Sequence, residues 1–335
     1  MKENKLIIGG SGFLGSVLQK TFNKKNHNFY IGDSSLNNDE ENYLDITKKD
    51  SFKYKSKTSL IINLAAEHRD DVLPISRYYE VNVNGSKNVC DFAEKNNINK
   101  IIFISSVAVY GFSRKPLKED GDINYFNEYG KTKFLAEEVY KDWYQKDKEH
   151  RSLIIIRPTV IFGKGNRGNV YNLIKQIAEK KFLMIGDGKN IKSIAYVENV
   201  ADFIVYLSTK YKSGFHLFNY SDKPDLDMNT LVSKIKLILF NDQKIGIKIP
   251  FFLGLILGYI CDFVTKILKI SLPISSIRVK KFISSTQFDS SAFSDGFKPS
   301  YSIEDALKKQ LNLNSKSNYY SELSLKVKYF CCLMF

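Results

Sequence analysis

Tyr129 and Lys133 are the pair of side chains best suited to acid–base chemistry in this 335-residue chain. Their spacing of four residues places both side chains on one face of a helix. An ammonium group beside a phenol favours the phenolate, and so lowers a tyrosine pKa that is ordinarily about 10. The product is a base that can take a proton from a hydroxyl near neutral pH. Surface helices carry the same spacing, so its meaning depends on the neighbouring motifs.

A serine-rich segment, residues 103–111, precedes this pair and includes the end of a predicted strand. Ligands of parallel sheets bind at the carboxyl ends of the strands. We therefore expect Ser106 to hydrogen-bond the reacting oxygen. For Ser105 and Tyr110 a packing role is the alternative.

A glycine-rich loop near Met1 predicts a dinucleotide site. Gly9, Gly12 and Gly15 follow an apolar strand and open a helix. Such glycines permit a tight turn, close approach to a pyrophosphate and close helix–strand packing, while the helix amino terminus attracts phosphate. Asp33 follows the second strand, 18 residues after Gly15, near the spacing of an acid that holds the adenosine ribose. Because a carboxylate repels a 2′-phosphate, Asp33 favours NAD over NADP.

The elements that must position these residues alternate between short apolar runs and amphipathic stretches, which predicts an α/β fold with a doubly wound parallel sheet. We expect an NAD-binding Rossmann domain over residues 1–165. A smaller C-terminal substrate-binding domain, partly returning to the sheet, is expected over 166–311, and a loosely ordered tail over 312–335. The expected strands are residues 5–8, 28–31, 60–64, 100–105 and 152–156, and the expected helices are 13–24, 78–96 and 170–181.

The chain is basic, with 50 Lys and Arg residues against 36 Asp and Glu, a formal charge of +14. Such an excess attracts nucleic acid, anionic lipid or phosphorylated ligands. The basic residues are scattered and match no nucleic-acid-binding motif, which argues against nucleic acid. The four cysteines and four histidines have no metal-ligand spacing, so we expect neither a metal site nor a disulfide framework. The glycine loop begins so near Met1 that we expect no signal peptide, and hence a cytoplasmic protein.

Residues 249–261 form a run of 13 residues without a charge. A membrane-spanning helix needs about 20 apolar residues, so the run predicts a buried helix or a helix in the membrane interface rather than a span. By composition alone, the buried helix is favoured. Between residues 244 and 281 there is one acid, Asp262, and there are seven bases: Lys244, Lys248, Lys266, Lys269, Arg278, Lys280 and Lys281.

The segments GGSGFLG, SSVAVYG and YGKTK, in this order and spacing, resemble the extended short-chain dehydrogenases that act on nucleotide sugars. The resemblance covers residues 5–311 and implies that Tyr129, Lys133 and Ser106 are the catalytic residues of an NAD-dependent sugar epimerase. The NAD-binding positions that it implies are Gly9, Gly12, Phe13, Leu14, Gly15, Asp33, Asp45, Ile46, Ala65, Ala66, Asn82, Tyr129, Lys133 and Pro158.

Residues 63–85, 157–173, 193–202 and 275–289 are similar to one branch of this family, found in surface-polysaccharide gene sets. The branch includes an epimerase that interconverts N-acetylglucosamine and N-acetylgalactosamine on undecaprenyl diphosphate. The resemblance therefore implies C4 epimerisation of a lipid-linked sugar for O-antigen synthesis. It also gives residues 249–281 a reason to contact the cytoplasmic face of the inner membrane.

The substrate residues are predicted from the same resemblance. His68 and Arg69 fall near the expected nicotinamide and sugar, although hydrogen bonding within their own loop explains them equally well. Asn166 and Arg167 lie in a glycine-rich loop, where we expect a substrate contact, with turn formation alone as the alternative. Arg278 begins the segment RVKK, where soluble nucleotide-sugar epimerases have an arginine followed closely by an aspartate. This departure weakens the case for uridine recognition but keeps cation contacts with a diphosphate.

Three alternatives remain open on the sequence. A UDP-N-acetylglucosamine or UDP-glucose 4-epimerase would share every catalytic residue, and a nucleotide-sugar 4-keto reductase would consume reduced cofactor. A non-catalytic NAD-binding regulator would turn nothing over, and the complete set of Ser106, Tyr129 and Lys133 argues against it. The expected partners are a small-molecule or lipid-linked sugar and a second copy of the chain in a homodimer.

Overall fold

The computed structural model describes residues 4–53, 57–69, 72–113, 115–268 and 275–311. The predicted tail, residues 312–335, lies outside the described residues. The strands are β1 Asn4–Ile8, β2 Phe29–Gly32, β3 Thr58–Asn63, β4 Lys100–Ile104, β5 Ser152–Pro158, β6 Val160–Phe162, β7 Met184–Ile185, β8 Ile191–Lys192, β9 Ile194–Tyr196, β10 Gly214–Tyr220, β11 Leu226–Asp227 and β12 Lys248–Ile249. The helices are α1 Phe13–Lys24, α2 Ser76–Tyr78, α3 Gly85–Lys95, α4 Glu128–Gln145, α5 Asn169–Ala178, α6 Val197–Lys210, α7 Met228–Phe240, α8 Phe251–Leu268, α9 Ser276–Ile283 and α10 Ile303–Gln310.

The central sheet has six parallel strands in the order β10-β5-β4-β3-β1-β2. The order reverses at β1, because β2 lies on one side of it and β3 on the other. In a doubly wound sheet such a reversal opens a crevice at the carboxyl ends of the two strands, where ligands bind. The predicted α/β fold with a parallel sheet is confirmed. Strand β10, which the sequence pattern did not indicate, adds the edge strand from the second half of the chain.

Helices cover both faces of this sheet, which is why its strands are rich in isoleucine rather than alternating in polarity. On one face, Ile62 and Ile154 pack with residues of α1 and α6. On the other face, Ile61 and Ile155 pack with residues of α3 and α4. The two layers fix the strand ends, and so fix the loops that follow β1, β3 and β4.

The predicted helix over residues 78–96 is interrupted. A π-helical turn, Tyr79–Asn84, separates α2 from α3. Turns of this kind are frequent at functional sites because they redirect side chains. This one carries Asn82, which is buried.

The second half of the chain has a further apolar cluster, to which α5, α7 and α10 all contribute. Its buried members include Ile174, Leu231 and Leu307. Helix α5 overlaps the predicted helix over residues 170–181; it begins one residue earlier, at Asn169, and ends at Ala178. The division into domains at residue 165 stays a prediction.

Helix α8 corrects two expectations about residues 249–261. It continues past the uncharged run to Leu268, and among the described residues it is the one helix long and apolar enough, by length and composition alone, to cross a membrane. Its buried residues are Gly254 and Gly258, so the favoured prediction of a buried helix is wrong. The exposed side chains form a stripe in which Phe252, Ile256 and Phe263 are 60%, 52% and 66% exposed.

The physical reason for this exposure is the way in which α8 is attached. A Cβ on Gly254 would lie 2.6 Å from the Ile185 side chain, and one on Gly258 would lie 2.8 Å from the Ser276 Cα. The Asp262 carboxylate accepts a hydrogen bond from the Ser276 backbone N–H at 3.1 Å. Residues spaced four apart share one helix face, so a single narrow face touches the protein and the rest remains exposed.

Candidate active site

The loop between β1 and α1 is shaped by its glycines. Gly9 has a φ of +80°, and a Cβ there would lie 2.8 Å from the Ala65 backbone nitrogen. A Cβ on Gly15 would collide with the carbonyl oxygens of Gly9 and Gly10. The close packing brings the amino terminus of α1 to the crevice at the reversal of the strand order. Gly12 is the N-cap, and the first turn has neither a side-chain cap nor an acidic residue, so its amides are available to an anion.

Asp33 lies at the end of β2 and joins this loop to the second strand. Its carboxylate accepts hydrogen bonds from the Ser11 backbone N–H at 2.9 Å and from the Ser35 hydroxyl at 2.8 Å. The carboxylate therefore lies against the glycine loop, where the adenosine ribose of a dinucleotide binds in folds of this type.

Asp45 and Ile46 lie in the segment after β2. The Asp45 carboxylate accepts hydrogen bonds from the backbone and the hydroxyl of Thr47, at 3.0 and 2.7 Å. The Ile46 side chain is buried against Gly85, and its carbonyl accepts a hydrogen bond from the Asn88 amide at 2.8 Å. In the structure Ile46 thus packs α3 against this segment, and a cofactor contact at either residue stays a prediction.

Asn82 holds the loop after β3 against the catalytic helix. Its amide oxygen accepts a hydrogen bond from the Glu67 N–H at 2.9 Å, and its amide nitrogen donates to the Glu67 carbonyl at 3.0 Å and the Thr132 hydroxyl at 3.0 Å. The loop contains Ala65 and Ala66, so Asn82 fixes the wall of the crevice that these alanines form. In the structure the Asn82 amide bonds to the protein, and the cofactor contact that the resemblance implies for Asn82 stays a prediction.

Tyr129 is positioned by the start of α4. The Asn127 side chain caps this helix by accepting a hydrogen bond from the Gly130 N–H at 2.9 Å. A Cβ on Gly130 would collide with the Ala108 carbonyl, so only glycine lets the helix approach the turn Val107–Tyr110 this closely. Ser106 caps that same turn, with its hydroxyl accepting from the Ala108 N–H at 3.1 Å. Helix and turn therefore bring Tyr129 and Ser106 to one junction, at the carboxyl end of β4.

Lys133 lies one helical turn after Tyr129 and is buried, with its ammonium nitrogen 4.1 Å from the centre of the Phe103 ring. Burial lowers the pKa of Lys133 from 10.5 to about 7, against the opposing effect of the Glu137 carboxylate. A negative charge next to Lys133 would restore its proton. The site is thus suited to stabilising an anion on a neighbouring oxygen.

Glu137 and Arg157 form a buried ion pair beneath these residues, which the sequence did not indicate. Their closest nitrogen and oxygen atoms are 2.5 Å apart, and both side chains are almost completely buried. Ser105 donates its hydroxyl proton to Glu137, and Arg157 donates to the Tyr110 hydroxyl at 2.6 Å. The one available signal was that Glu137 stands four residues after Lys133. The pair fixes the end of β4 relative to α4, so Ser105 and Tyr110 do more than pack.

Comparison with known proteins agrees with this geometry. Residues 5–220 match the model of the NAD-dependent epimerase/dehydratase family. The chain belongs to that family. NAD is accordingly its cofactor. The crevice fits NAD because its glycines leave space that a Cβ would occupy, and because the first turn of α1 has no side-chain cap. The Asp33 carboxylate lies beside the same loop.

Individual relatives narrow the comparison. The chain is 45% identical, over 93% of its length and 95% of the relative, to the N-acetyl-alpha-D-glucosaminyl-diphospho-ditrans,octacis-undecaprenol 4-epimerase of Escherichia coli O157:H7. It is 28% identical to the UDP-glucose 4-epimerase of Vibrio cholerae, over 71% of the chain and 76% of the relative. UDP-glucuronic acid 4-epimerase from Bacillus cereus, solved with NAD, has the same fold, with a TM-score of 0.69 at 18% identity over 96% of this chain and 99% of that one.

In this epimerase-family chain, two of the predicted substrate residues, His68 and Arg69, lie in the loop after β3. His68 and Arg69 are exposed in the loop after β3, where the His68 ring nitrogen is 3.5 Å from the Ala66 carbonyl oxygen. The Arg69 guanidinium is 3.8 Å from the Glu67 carboxylate. Pro158, which was predicted to contact the cofactor and not the substrate, is buried at the end of β5. A substrate role for His68 or Arg69 stays a prediction.

The other three predicted substrate residues follow β6 in the chain: Asn166, Arg167 and Arg278. Asn166 closes its own loop, because its side chain accepts from the Gly168 N–H at 2.5 Å and donates to the Ile161 carbonyl at 3.2 Å. Arg167 beside it is exposed. Arg278 is exposed on the first turn of α9. A substrate contact at Asn166, Arg167 or Arg278 stays a prediction.

Proposed function

We propose that this chain is a C4 epimerase that interconverts N-acetylglucosamine and N-acetylgalactosamine while the sugar is linked to undecaprenyl diphosphate. The proposal is supported by the relative that is 45% identical, whose name specifies such a substrate. The observation that carries the choice of a lipid carrier is the exposed apolar stripe of α8. Large apolar patches on a protein surface mark contacts with membranes, partners or apolar ligands. A free nucleotide sugar is polar and has no apolar chain that could bind to the stripe of α8.

Proton transfer is assigned to Tyr129. Its phenolate takes the proton from the C4 hydroxyl of the sugar, and the phenol returns that proton to O4 when the 4-keto sugar, having turned in the site, is reduced on its opposite face. The buried ammonium of Lys133 stabilises the phenolate, and the phenolate in turn keeps Lys133 protonated despite its burial. The Glu137–Arg157 pair holds the helix that carries both residues.

Ser106 orients the reacting oxygen. Its hydroxyl oxygen accepts from the Ala108 N–H, so its own proton can be donated to the sugar O4. NAD, when bound, supplies the chemistry of accepting a hydride from the sugar carbon and returning it, so no cofactor is consumed. Inversion requires the oxidised sugar to turn within the site while its diphosphate stays held. The cations of α9 are the groups we assign to that diphosphate.

The experiment that tests this function compares two substrates. Purified protein and NAD are incubated with N-acetylglucosaminyl-diphospho-undecaprenol or with UDP-N-acetylglucosamine, and the released sugars are analysed. We expect N-acetylgalactosamine from the lipid-linked substrate and little from the nucleotide. The Tyr129→Phe variant should lose turnover on the order of 10²–10⁴-fold while it still binds NAD. Faster turnover of the UDP-sugar would favour a nucleotide-sugar epimerase, and stoichiometric oxidation of reduced cofactor would favour a reductase.

We further propose that α8 docks on the cytoplasmic face of the inner membrane by its exposed stripe. The face that carries Gly254, Gly258 and Asp262 is occupied by the protein, so the helix would lie along the interface rather than cross it. Lys266 and the bases of α9 flank the stripe. Each lysine or arginine near an anionic surface adds about 1 kcal/mol to binding, and salt weakens this contribution.

Vesicle sedimentation tests the docking. Replacing Phe252, Ile256 and Phe263 with Ser should leave a folded protein that no longer pellets with anionic vesicles. Leu237→Ser on α7, also an exposed apolar residue, should pellet like the wild type. A wild-type protein that stays in the supernatant even at low salt would contradict the proposal. The homodimer likewise remains a prediction, which light scattering tests.

A further inference from the structure

Two phenylalanines stand together on the surface next to the catalytic helix. Phe112 and Phe126 are 40% and 42% exposed, and their rings stack with centroids 4.6 Å apart. The Lys281 ammonium lies 4.9 Å from the centre of the Phe126 ring. We call the two phenylalanines the aromatic shelf, which Lys281 of α9 adjoins.

The shelf is held in a fixed position relative to Tyr129. Phe126 immediately precedes Asn127, the N-cap of α4, so it is three residues before Tyr129. Gly111 has a φ of +68°, and a Cβ there would collide with the Asn124 carbonyl. The Asn124 N–H donates to the Val109 carbonyl at 3.1 Å. These contacts pin the segment that carries Phe126 against the turn that follows Ser106.

Helix α9 joins the shelf to the apolar stripe of α8. Lys281, near the carboxyl end of α9, contacts Phe126, while Ser276 at its start packs on Gly258 of α8. Between them, the Lys280 ammonium is 3.2 Å from the Tyr259 hydroxyl of α8. Exposed apolar side chains and cations therefore continue from the catalytic helix to the stripe.

We propose that the aromatic shelf binds the isoprenoid units next to the diphosphate of a polyprenyl-linked sugar. The inference rests on the proposed function, since it takes the sugar to be at Tyr129. A diphosphate extending from that sugar meets the α9 cations, and the chain beyond it leaves across Phe126 and Phe112. Unsaturated hydrocarbon packs on aromatic faces without unsatisfied polar groups.

A nucleobase would also stack on these rings, but it fits the surroundings less well. Its polar edges need hydrogen-bonding partners, whereas the shelf leads to the apolar stripe of α8. A long apolar chain can contact apolar side chains from the shelf to the stripe of α8. The two occupants differ in their response to chain length, which makes them separable by experiment.

The test uses two water-soluble sugar diphosphates below their micelle concentrations. N-acetylglucosamine diphosphate is esterified to methanol in one and to citronellol, with two isoprenoid units, in the other. Binding to the NAD-loaded protein is measured by calorimetry, and kcat/KM is measured for both compounds. The variants are Phe112→Ser and Phe126→Ser, with Phe215→Ser on β10 as a matched exposed phenylalanine.

We expect the wild type and Phe215→Ser to prefer the citronellyl ester by at least about tenfold in binding and in kcat/KM. Each shelf variant should lose most of that preference. An unchanged preference would overturn the inference, as would a shelf variant that loses the same factor on UDP-N-acetylglucosamine. If the citronellyl ester binds more tightly in a way that needs Phe112 and Phe126 but is not turned over, the proposed function is refuted and the shelf is not. If both esters are turned over with the same kcat/KM, the role of the shelf is refuted and the proposed function is not.

Discussion

Replacing Lys133 with Met is expected to stabilise the NAD-free protein while it greatly lowers turnover. Lys133 is buried, and burial lowers its pKa from 10.5 to about 7. One pKa unit corresponds to about 1.36 kcal/mol, so the protonated side chain destabilises the native state by about 5 kcal/mol relative to the neutral one. Methionine keeps an unbranched apolar side chain without the charge, so most of that destabilisation should be removed.

The effect has a definite dependence on pH. Below about pH 7, Lys133 is protonated in the native and unfolded states, so the full destabilisation applies. Between about pH 7 and 10.5 the native state binds fewer protons than the unfolded state, so the stability of the wild type rises with pH. Above that range both states are neutral at this residue, and the advantage of Lys133→Met should disappear.

Urea unfolding without NAD, at about pH 6, 8 and 10, measures this difference. Lys141→Met is the control, because Lys141 is on the same helix but pairs with Glu138 on the surface at 2.8 Å. Its effect should stay within about 1 kcal/mol at every pH. The reasoning would be refuted by a Lys133→Met protein no more stable than the wild type at about pH 6. It would also be refuted by an advantage that does not shrink as the pH rises.

Three further predictions follow from the site. Glu137→Gln leaves Arg157 buried without its carboxylate, so it should lower the free energy of unfolding by about 3–5 kcal/mol, and urea unfolding with a loss below about 1 kcal/mol would contradict this. Asp33→Asn removes the charge that repels a 2′-phosphate, so titration should reveal a weaker preference for NAD over NADP; an undiminished preference would mean that another residue selects the cofactor. Gly15→Ala forces α1 away from the glycine loop, so fluorescence titration should detect weaker NAD binding, and wild-type affinity would contradict the packing described.

Short-range geometry was enough to predict the glycine loop of the dinucleotide site and the catalytic Tyr129–Lys133 pair from the sequence. The three glycines, the apolar strand before them and the helix after them lie within a few residues of one another, and α1 begins at Phe13 and ends at Lys24 as expected. Tyr129 and Lys133 share a helix face because four residues make about one turn. Such relations hold in any fold that forms the helix. The resemblance of whole segments to known proteins then indicated the family.

Contacts between distant segments were decided by the tertiary structure. Asn82 bonds to Glu67 and Thr132, which lie far from it in the chain, so nothing local indicated that it braces the crevice wall. Glu137 and Arg157 meet only because α4 packs on the sheet beside β5. The spacing of Glu137 from Lys133 gave a local signal, but nothing in the sequence paired Glu137 with Arg157.

The exposure of α8 was likewise decided by tertiary structure. Composition predicts that residues 249–261 are apolar, and an apolar run in a globular chain is ordinarily buried. Burial, however, depends on how much surface the other elements offer to a helix, and here they offer only the narrow contacts at Gly254, Gly258 and Asp262. The sequence by itself therefore determined that the segment is hydrophobic, and the packing of β7 and α9 against one face decided that the rest of it faces outward.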